Sequence, residues 1–215
     1  MRKSPNRILL PVAYLPPIAW FHYFLTFDEV WIEQYESYPK QTYRNRCEIY
    51  AEKGRMPLSI PVTKVNGNRT LTRDVQINNA EPWARNHWRA IETAYRKSPY
   101  FIYFKDDFQS RIQQDHTHLL PFNRSLIQLV CDILEISKPV NLTEEFVHQP
   151  EDAADLRDMS PKSDVLGGKF TRYIQVFDGR HGFIPNLSIL DLIFNLGPDA
   201  KSYLEALNLP VPNIP

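Results

Sequence analysis

The chain has 215 residues, with 25 Lys plus Arg against 25 Asp plus Glu and hence a formal net charge of zero at pH 7. That length suits one domain with a real core, and the charge balance excludes a global field that would draw the protein to nucleic acid or to an anionic membrane. The composition is 43% apolar, but 18 prolines stand against only 7 glycines, so turns are set by fixed φ more than by positive φ.

Arg2, Lys3 and Arg7 precede an apolar stretch from Ile8 to Phe27 in the manner of a secretory signal. Pro11, Pro16 and Pro17 interrupt it, His22 sits inside it, and no small-residue cleavage site follows. It is also too broken to span a bilayer. The expectation is a cytoplasmic protein with no membrane span. Within the stretch, Ile8 to Val12 reads as a buried strand, Pro16-Pro17 as a turn and Ile18 to Thr26 as a helix, before a second strand at Val30 to Glu33. This strand-helix-strand opening predicts a parallel pair. Cys47 to Tyr50 and Leu58 to Val62, joined through Gly54, read as an antiparallel hairpin, with a weaker strand at Asp74 to Ile77. The only cysteines, Cys47 and Cys131, are expected as two buried thiols, which fits a reducing compartment.

Glu81 to Lys97 is the clearest helix: Trp83, His87, Trp88, Ile91, Ala94 and Tyr95 recur at helical spacing, with Pro82 at the start, while Arg85, Arg89, Glu92 and Arg96 fall elsewhere on the wheel. After Ser98-Pro99, Tyr100 to Phe104 reads as another strand, Asp106 to Gln114 as a polar helix, and Leu120 to Glu135 as a second strong helix. Asn141 to Gly168 is acidic and aperiodic, which predicts a surface loop or lid. Lys169 to Phe177 reads as a late strand, Asn186 as the cap of a helix through Asn195, and Gly197-Pro198 as the break before a last helix ending near Leu207, with a tail from Pro210. The expected fold over residues 1–215 is a single α/β domain: a mixed sheet, parallel at its start and carrying an antiparallel hairpin, with flanking helices.

The signatures of dinucleotide, triphosphate, hydrolase and zinc chemistry are all missing, so the residues name neither a metal site nor a cofactor. What stands out is Pro39-Lys40-Gln41-Thr42-Tyr43-Arg44-Asn45-Arg46. If Tyr43 to Tyr50 is extended, Arg44, Arg46 and Glu48 share one face, with the two guanidiniums about 7 Å apart. Such a pair suits a phosphate, diphosphate or carboxylate, which Arg grips through two parallel hydrogen bonds. The alternative is a solvated edge strand with Arg44 or Arg46 paired to Glu48 or a nearby acid. His22 and His87 lie among aromatics, where a catalytic base would be useful. His87 is on the apolar stripe of its helix, and the alternative there is a core histidine satisfied by a hydrogen bond. The aromatics from Tyr14 to Trp31 read as a packed first helix more than as a stacking platform.

Leu10-Pro11-Val12-Ala13-Tyr14-Leu15-Pro16, the Lys40 to Arg46 segment, Leu58-Ser59-Ile60-Pro61-Val62, and Trp83 through His87-Trp88 to Tyr95 with Pro99-Tyr100-Phe101 together resemble the WbqC-like family over roughly residues 8–136. The ending from Tyr173 to Tyr203, with Asn186-Leu187-Ser188-Ile189-Leu190-Asp191, resembles the form of this family found in Bacteroidetes. Leu10 stands where the family commonly has Gln before the first Pro, and Ala19 where it commonly has Gly. The resemblance implies a bacterial cytoplasmic protein whose name-giving relatives sit among genes for surface polysaccharide such as O-antigen, without implying a settled reaction.

With the family in view, the leading expectation is a transferase acting on an activated sugar or other phosphate-bearing small molecule. Lys40, Arg44 and Arg46 would hold the anion and Asn45 a carbonyl or hydroxyl, with Tyr14 and His22 completing the binding set. His87 would take a proton from the attacking group, and Tyr95 would orient it. The alternative is a non-catalytic module that binds a phosphorylated metabolite or a partner protein. Nucleic-acid binding through Lys40, Arg44, Arg46, Arg69 and Arg73 is a third reading, against which the zero net charge speaks. The residues leave substrate, donor, cofactor and oligomeric state open.

Overall fold

The computed structural model describes residues 6–150, 152–162 and 169–210. Arg2 and Lys3, Glu151 and the 163–168 part of the acidic segment, and the tail beyond Pro210 lie outside the described residues. β1 (Arg7–Pro11), α1 (Ile18–Thr26) and β2 (Glu29–Glu33) form the expected strand-helix-strand unit, with β1 parallel to β2 from Arg7 opposite Glu29 to Pro11 opposite Glu33. Two further parallel strands come from the segment read as loop or lid: β7 (Asn141–Leu142) lies beside β2, and β8 (Ala153–Asp155) beside β1. The sheet order is β7-β2-β1-β8. Strands of two and three residues carry no readable period, which is why this stretch reads as aperiodic. Ile8, Leu10, Val30, Ile32 and Ala154 alternate to one face of the sheet and have no exposed surface.

Between β2 and β7 come the antiparallel hairpin of β3 (Arg46–Ala51) and β4 (Gly54–Ser59) and a shorter pair, β5 (Val62–Thr63) with β6 (Gln76–Ile77). Gly54 takes φ of +97° at the tight turn, where a side chain would be strained. α2 (Trp83–Tyr95) buries Trp83, His87, Trp88, Ile91, Ala94 and Tyr95, the stripe read from its spacing, and α4 (Leu119–Ile133) is the second amphipathic helix. Tyr100 to Phe104 is not a strand. It opens α3 (Phe101–Gln113), which absorbs the polar helix expected at Asp106 to Gln114. Its aromatic and branched composition suggests β structure, yet Phe101, Phe108 and Ile112 are buried while Ile102 and Tyr103 are 62% and 71% exposed, a helical division of faces.

The chain ends in α5 (Asp178–His181), α6 (Ile189–Leu196) and α7 (Asp199–Ala206). Lys169 to Phe177 forms no strand beyond a bridge of Lys169 to Asn208, although its burial alternates, with Tyr173 and Gln175 buried and Ile174 exposed. α1 is buried along Ile18 to Phe24 because it packs against β1 on one side and α6 and α7 on the other. Pro17 offers no capping side chain to it. Instead Leu187 O accepts the Ile18 N–H at 3.0 Å and Asn186 Oδ1 accepts the Ala19 N–H at 2.9 Å, satisfying donors that a helix start leaves open. Asn186 therefore caps α1 and not its own helix. α6 is capped by Ser188, whose Oγ accepts the Leu190 N–H at 3.3 Å. Cys47 and Cys131 are free and buried.

Candidate functional site

In open parallel sheets, ligands bind beyond the carboxyl ends of the strands, where the chain leaves one strand toward opposite neighbours. β1, between β2 and β8, makes such a point here. Glu33 ends β2 without any exposure, and its Oε1 accepts the Tyr35 N–H at 2.7 Å and the Thr143 hydroxyl at 3.0 Å. Arg157, just past β8, bonds Asp155 at the end of that strand and reaches Glu33 Oε2 at 3.3 Å. Its remaining N–H groups donate to Val147 O (2.8 Å) and His148 O (3.1 Å), pinning the 147–148 segment to the sheet edge.

Arg44 belongs to this charged network. Only 1% exposed, it donates from Nε and Nη2 to the two oxygens of Glu36 at 2.6 and 2.7 Å, and from Nη2 to Arg157 O at 2.9 Å. Burial raises the Glu36 carboxyl above its ordinary range even though Arg44 pulls it down. Arg44 and Arg157 wall a cavity of about 480 Å³ together with Tyr35, Glu36, His148 and Asp158. The run from Tyr43 is not extended: residues 43–45 form a turn and β3 begins at Arg46. Arg44 and Arg46 consequently do not stand side by side on one strand. Arg46 donates to Glu48 Oε1 at 3.1 Å, and Arg55 to Glu48 Oε2 at 2.6 Å. Both arginines of the motif are thus ion-paired within the chain.

Lys40 and Asn45 take a different place. Along Ser37 to Lys40, Ser37 and Pro39 line the Arg44 cavity, whereas Tyr38 and Lys40 line a second one of about 400 Å³ with Gln41, Asn45, Val62 and Lys64. This alternation makes the segment a wall between two depressions. Lys64 donates to Tyr38 O at 3.0 Å and lies 5.1 Å from the Tyr38 ring centroid, and burial followed by the Lys40 charge lowers its pKa. Among the described residues no carboxylate pairs with Lys40 or Lys64, and Lys162 reaches the same rim by donating to Gln41 Oε1 at 2.8 Å. Gln41 itself is left-handed, with φ of +58°. Two residues lining this cavity carry a buried, unbonded polar atom, the Tyr38 hydroxyl and Asn45 Oδ1, the amide of Asn45 being used on Ile60 O at 2.9 Å. Burial pushes the Tyr38 phenol up, so it keeps its proton and remains a donor. The residues around the cavity thus carry unneutralised cations, one unused donor and one unused acceptor, a set that suits an anionic group carrying hydroxyls.

Tyr14, His22, His87 and Tyr95 lie apart from it in the core. Tyr14 Oη and His87 Nδ1 are 3.0 Å apart, the Ser59 backbone bonds the same imidazole, and burial lowers its pKa to about 4, leaving a neutral ring. Tyr95 Oη accepts the Tyr50 N–H at 3.0 Å and turns toward Asp191. Asp191, fully buried, accepts the Tyr173 hydroxyl and, at 2.8 Å, the Gln175 amide, and burial raises its carboxyl to about 6. His22 Nδ1 lies 2.9 Å from Leu204 O, tying α1 to α7. Sequence reasoning missed Tyr38, Lys64, Arg157 and Asp191. Of these only Asp191, an acid inside the apolar run of α6, carries a local signal.

Among the described residues no helix is long and apolar enough to cross a membrane, and no three His, Cys, Asp or Glu side chains gather as metal ligands. Residues 12–164 match the WbqC-like protein family, and the chain belongs to it. It is also similar to a protein of Mycobacterium tuberculosis, the uncharacterized protein Rv1507c, at 28% identity over 218 residues that span 89% of this chain and 94% of that one. No solved structure matches the chain. The matched region contains Tyr38, Lys40, Asn45, Lys64 and Lys162, and ends before the Tyr173–Asp191 cluster.

Proposed function

We propose that the cavity between Tyr38, Lys40, Asn45 and Lys64 binds a phosphate-bearing, hydroxyl-rich small molecule such as an activated sugar, and that the protein is a transferase acting on it in the building of surface polysaccharide. One observation carries the reading: two lysines with no carboxylate partner among the described residues line the same cavity as two residues with a buried, unbonded polar atom. Lys40 and Lys64 hold the phosphate, Tyr38 Oη donates to a ligand oxygen, and Asn45 Oδ1 accepts from a hydroxyl. A cytoplasmic location and a C-terminal part of the Bacteroidetes form belong to the same reading.

A second reading, recognition without turnover, is favoured by the bonding of His87 and Tyr95. His87 is bonded by Tyr14 and the Ser59 backbone, and Tyr95 is enclosed by Tyr50 and Asp191. The test is a thermal-shift screen of wild type and Lys40→Ala/Lys64→Ala against hexose phosphates, nucleotide sugars and plain phosphate. A ligand at about a hundred times its dissociation constant stabilises by roughly 2.7 kcal/mol. A shift for a hexose phosphate that the double variant loses supports the site, and product formation from the same ligand with a donor separates transferase from binder. Equal melting of both proteins under every ligand rejects the site.

A further inference from the structure

On the other side of the β3–β4 hairpin, a groove of about 800 Å³ runs between the hairpin turn and the exposed face of α2. Six cationic side chains line it, Lys53, Arg55, Arg89, Arg96, Lys97 and Arg180, against a single carboxylate, Glu52, in a chain whose net charge is zero. Arg55 and Arg180 are partly neutralised, by Glu48 and Glu52 at 2.6 and 2.7 Å. Arg89, Arg96 and Lys97 have no acid partner among the described residues.

Helical spacing explains how the sequence builds this wall. Arg89, Thr93, Arg96 and Lys97 follow at i, i+4, i+7 and i+8, on the side away from the buried stripe of Trp88, Ile91 and Tyr95. Arg96 and Lys97 stand at the C-terminal end of α2, where a helix favours cations in any case. That does not account for Arg89 in mid-helix or for Lys53 across the groove, since clustered like charges repel unless something neutralises them. The floor is apolar: Met56, Ala90, Val176 and Phe177 lie between the charged walls. Met56 is 39% exposed, an uncovered apolar side chain beside the arginines.

We infer that this groove binds an organic diphosphate ester, with the diphosphate bridging Arg89 and Arg96 on α2 to Lys53 and Arg180 opposite, and the organic part lying over Met56 and Phe177. A volume in the range of small-ligand sites, guanidiniums able to chelate phosphate through paired hydrogen bonds, and an apolar floor agree on that class. The diphosphate is the shared chemistry of two sources, a nucleoside diphosphate and a prenyl diphosphate of the lipid-carrier type. The site is independent of the Lys40–Lys64 cavity.

The test is calorimetric titration of the whole chain with uridine diphosphate, geranyl diphosphate and inorganic pyrophosphate, on wild type, on Arg89→Glu/Arg96→Glu and on Lys40→Ala/Lys64→Ala. The two charge reversals lie on an exposed helix face, and circular dichroism checks that they leave the fold intact. The expected result is that at least one organic diphosphate binds wild type and the cavity variant equally. It should bind the groove variant weaker by about tenfold or more, the size of one lost charge-assisted pair. Whichever ester binds identifies the source. Pyrophosphate binding as tightly as both esters would mean an adventitious ion only. Absence of binding, or affinity unmoved by the charge reversals, would each overturn the inference.

Discussion

Glu36 grips Arg44 through two parallel hydrogen bonds of 2.6 and 2.7 Å, with the guanidinium side chain 1% and the carboxylate side chain 11% exposed. Removing either partner leaves the other charged and buried. Arg44→Ala and Glu36→Ala are each expected to cost about 3–5 kcal/mol in urea denaturation. The paired replacement Arg44→Met/Glu36→Leu should recover most of that loss. If each single variant costs under about 1 kcal/mol, the pair behaves as a surface pair, and Arg44 is free to hold a ligand after all.

Asn45→Asp is expected to put a carboxylate beside Lys40 and Lys64 and to neutralise the cavity from within. Binding of a hexose phosphate should fall by about tenfold or more, the worth of a charge-assisted pair, in a folded protein whose melting temperature drops modestly for the lost Asn45 to Ile60 bond. Undiminished binding in a titration calorimeter would remove Asn45 and its neighbours from the ligand site.

His87 is held neutral, its pKa lowered by burial to about 4 from 6.5. A lowered pKa means that the unfolded chain takes up the proton first, so the stability His87 contributes is complete above pH 6.5 and drains away as pH falls toward 4. Relative to His87→Gln, wild type should lose about 3 kcal/mol between pH 7 and pH 4. Parallel stability curves for the two proteins across that window would show an imidazole open to water and available as a base.

Asp191 has the opposite sign. Its carboxyl is raised from 3.8 to about 6, so the protonated form is favoured in the fold, and its contribution is present below pH 3.8 and lost as pH rises through 6. Asp191→Asn mimics the protonated state. Its stability relative to wild type should improve by about 3 kcal/mol from pH 4 to pH 7. A constant difference between the two denaturation series would mean that Tyr173 and Gln175 fully stabilise the ionised carboxylate.

Elements with a strong local period were legible in the residues. β1, α1 and β2 follow from apolar runs punctuated by Pro16 and Pro17, α2 from its 3.6-residue stripe, and the β3–β4 hairpin from Gly54 between two short strands. β7 and β8 were not, because sheet position gives those few residues their conformation and local sequence does not. α3 was misread because Tyr100 to Phe104 has the composition of a strand and the burial of a helix. The candidate site was half legible. Lys40 and Asn45 stand out as polar residues in a basic run, and both line the cavity. Arg44 stood out for the same reason, but its partner Glu36 lies across a turn where Gln41 adopts a left-handed backbone, and no residue near Arg44 signals that pairing. Lys64 joins only through a contact across 26 residues, its bond to Tyr38 O, which local sequence does not signal.

The cap that Asn186 places on α1 joins two segments that synthesis makes far apart in time. During synthesis α1 waits, with the Ile18 and Ala19 N–H groups open, for a segment made 167 residues later. Hydrogen exchange at Ala19 in chains stalled at successive lengths would read that wait directly. The β1–α1–β2 unit thereby carries a record of synthesis: it reaches its final hydrogen bonding only in a molecule whose translation has passed Asn186.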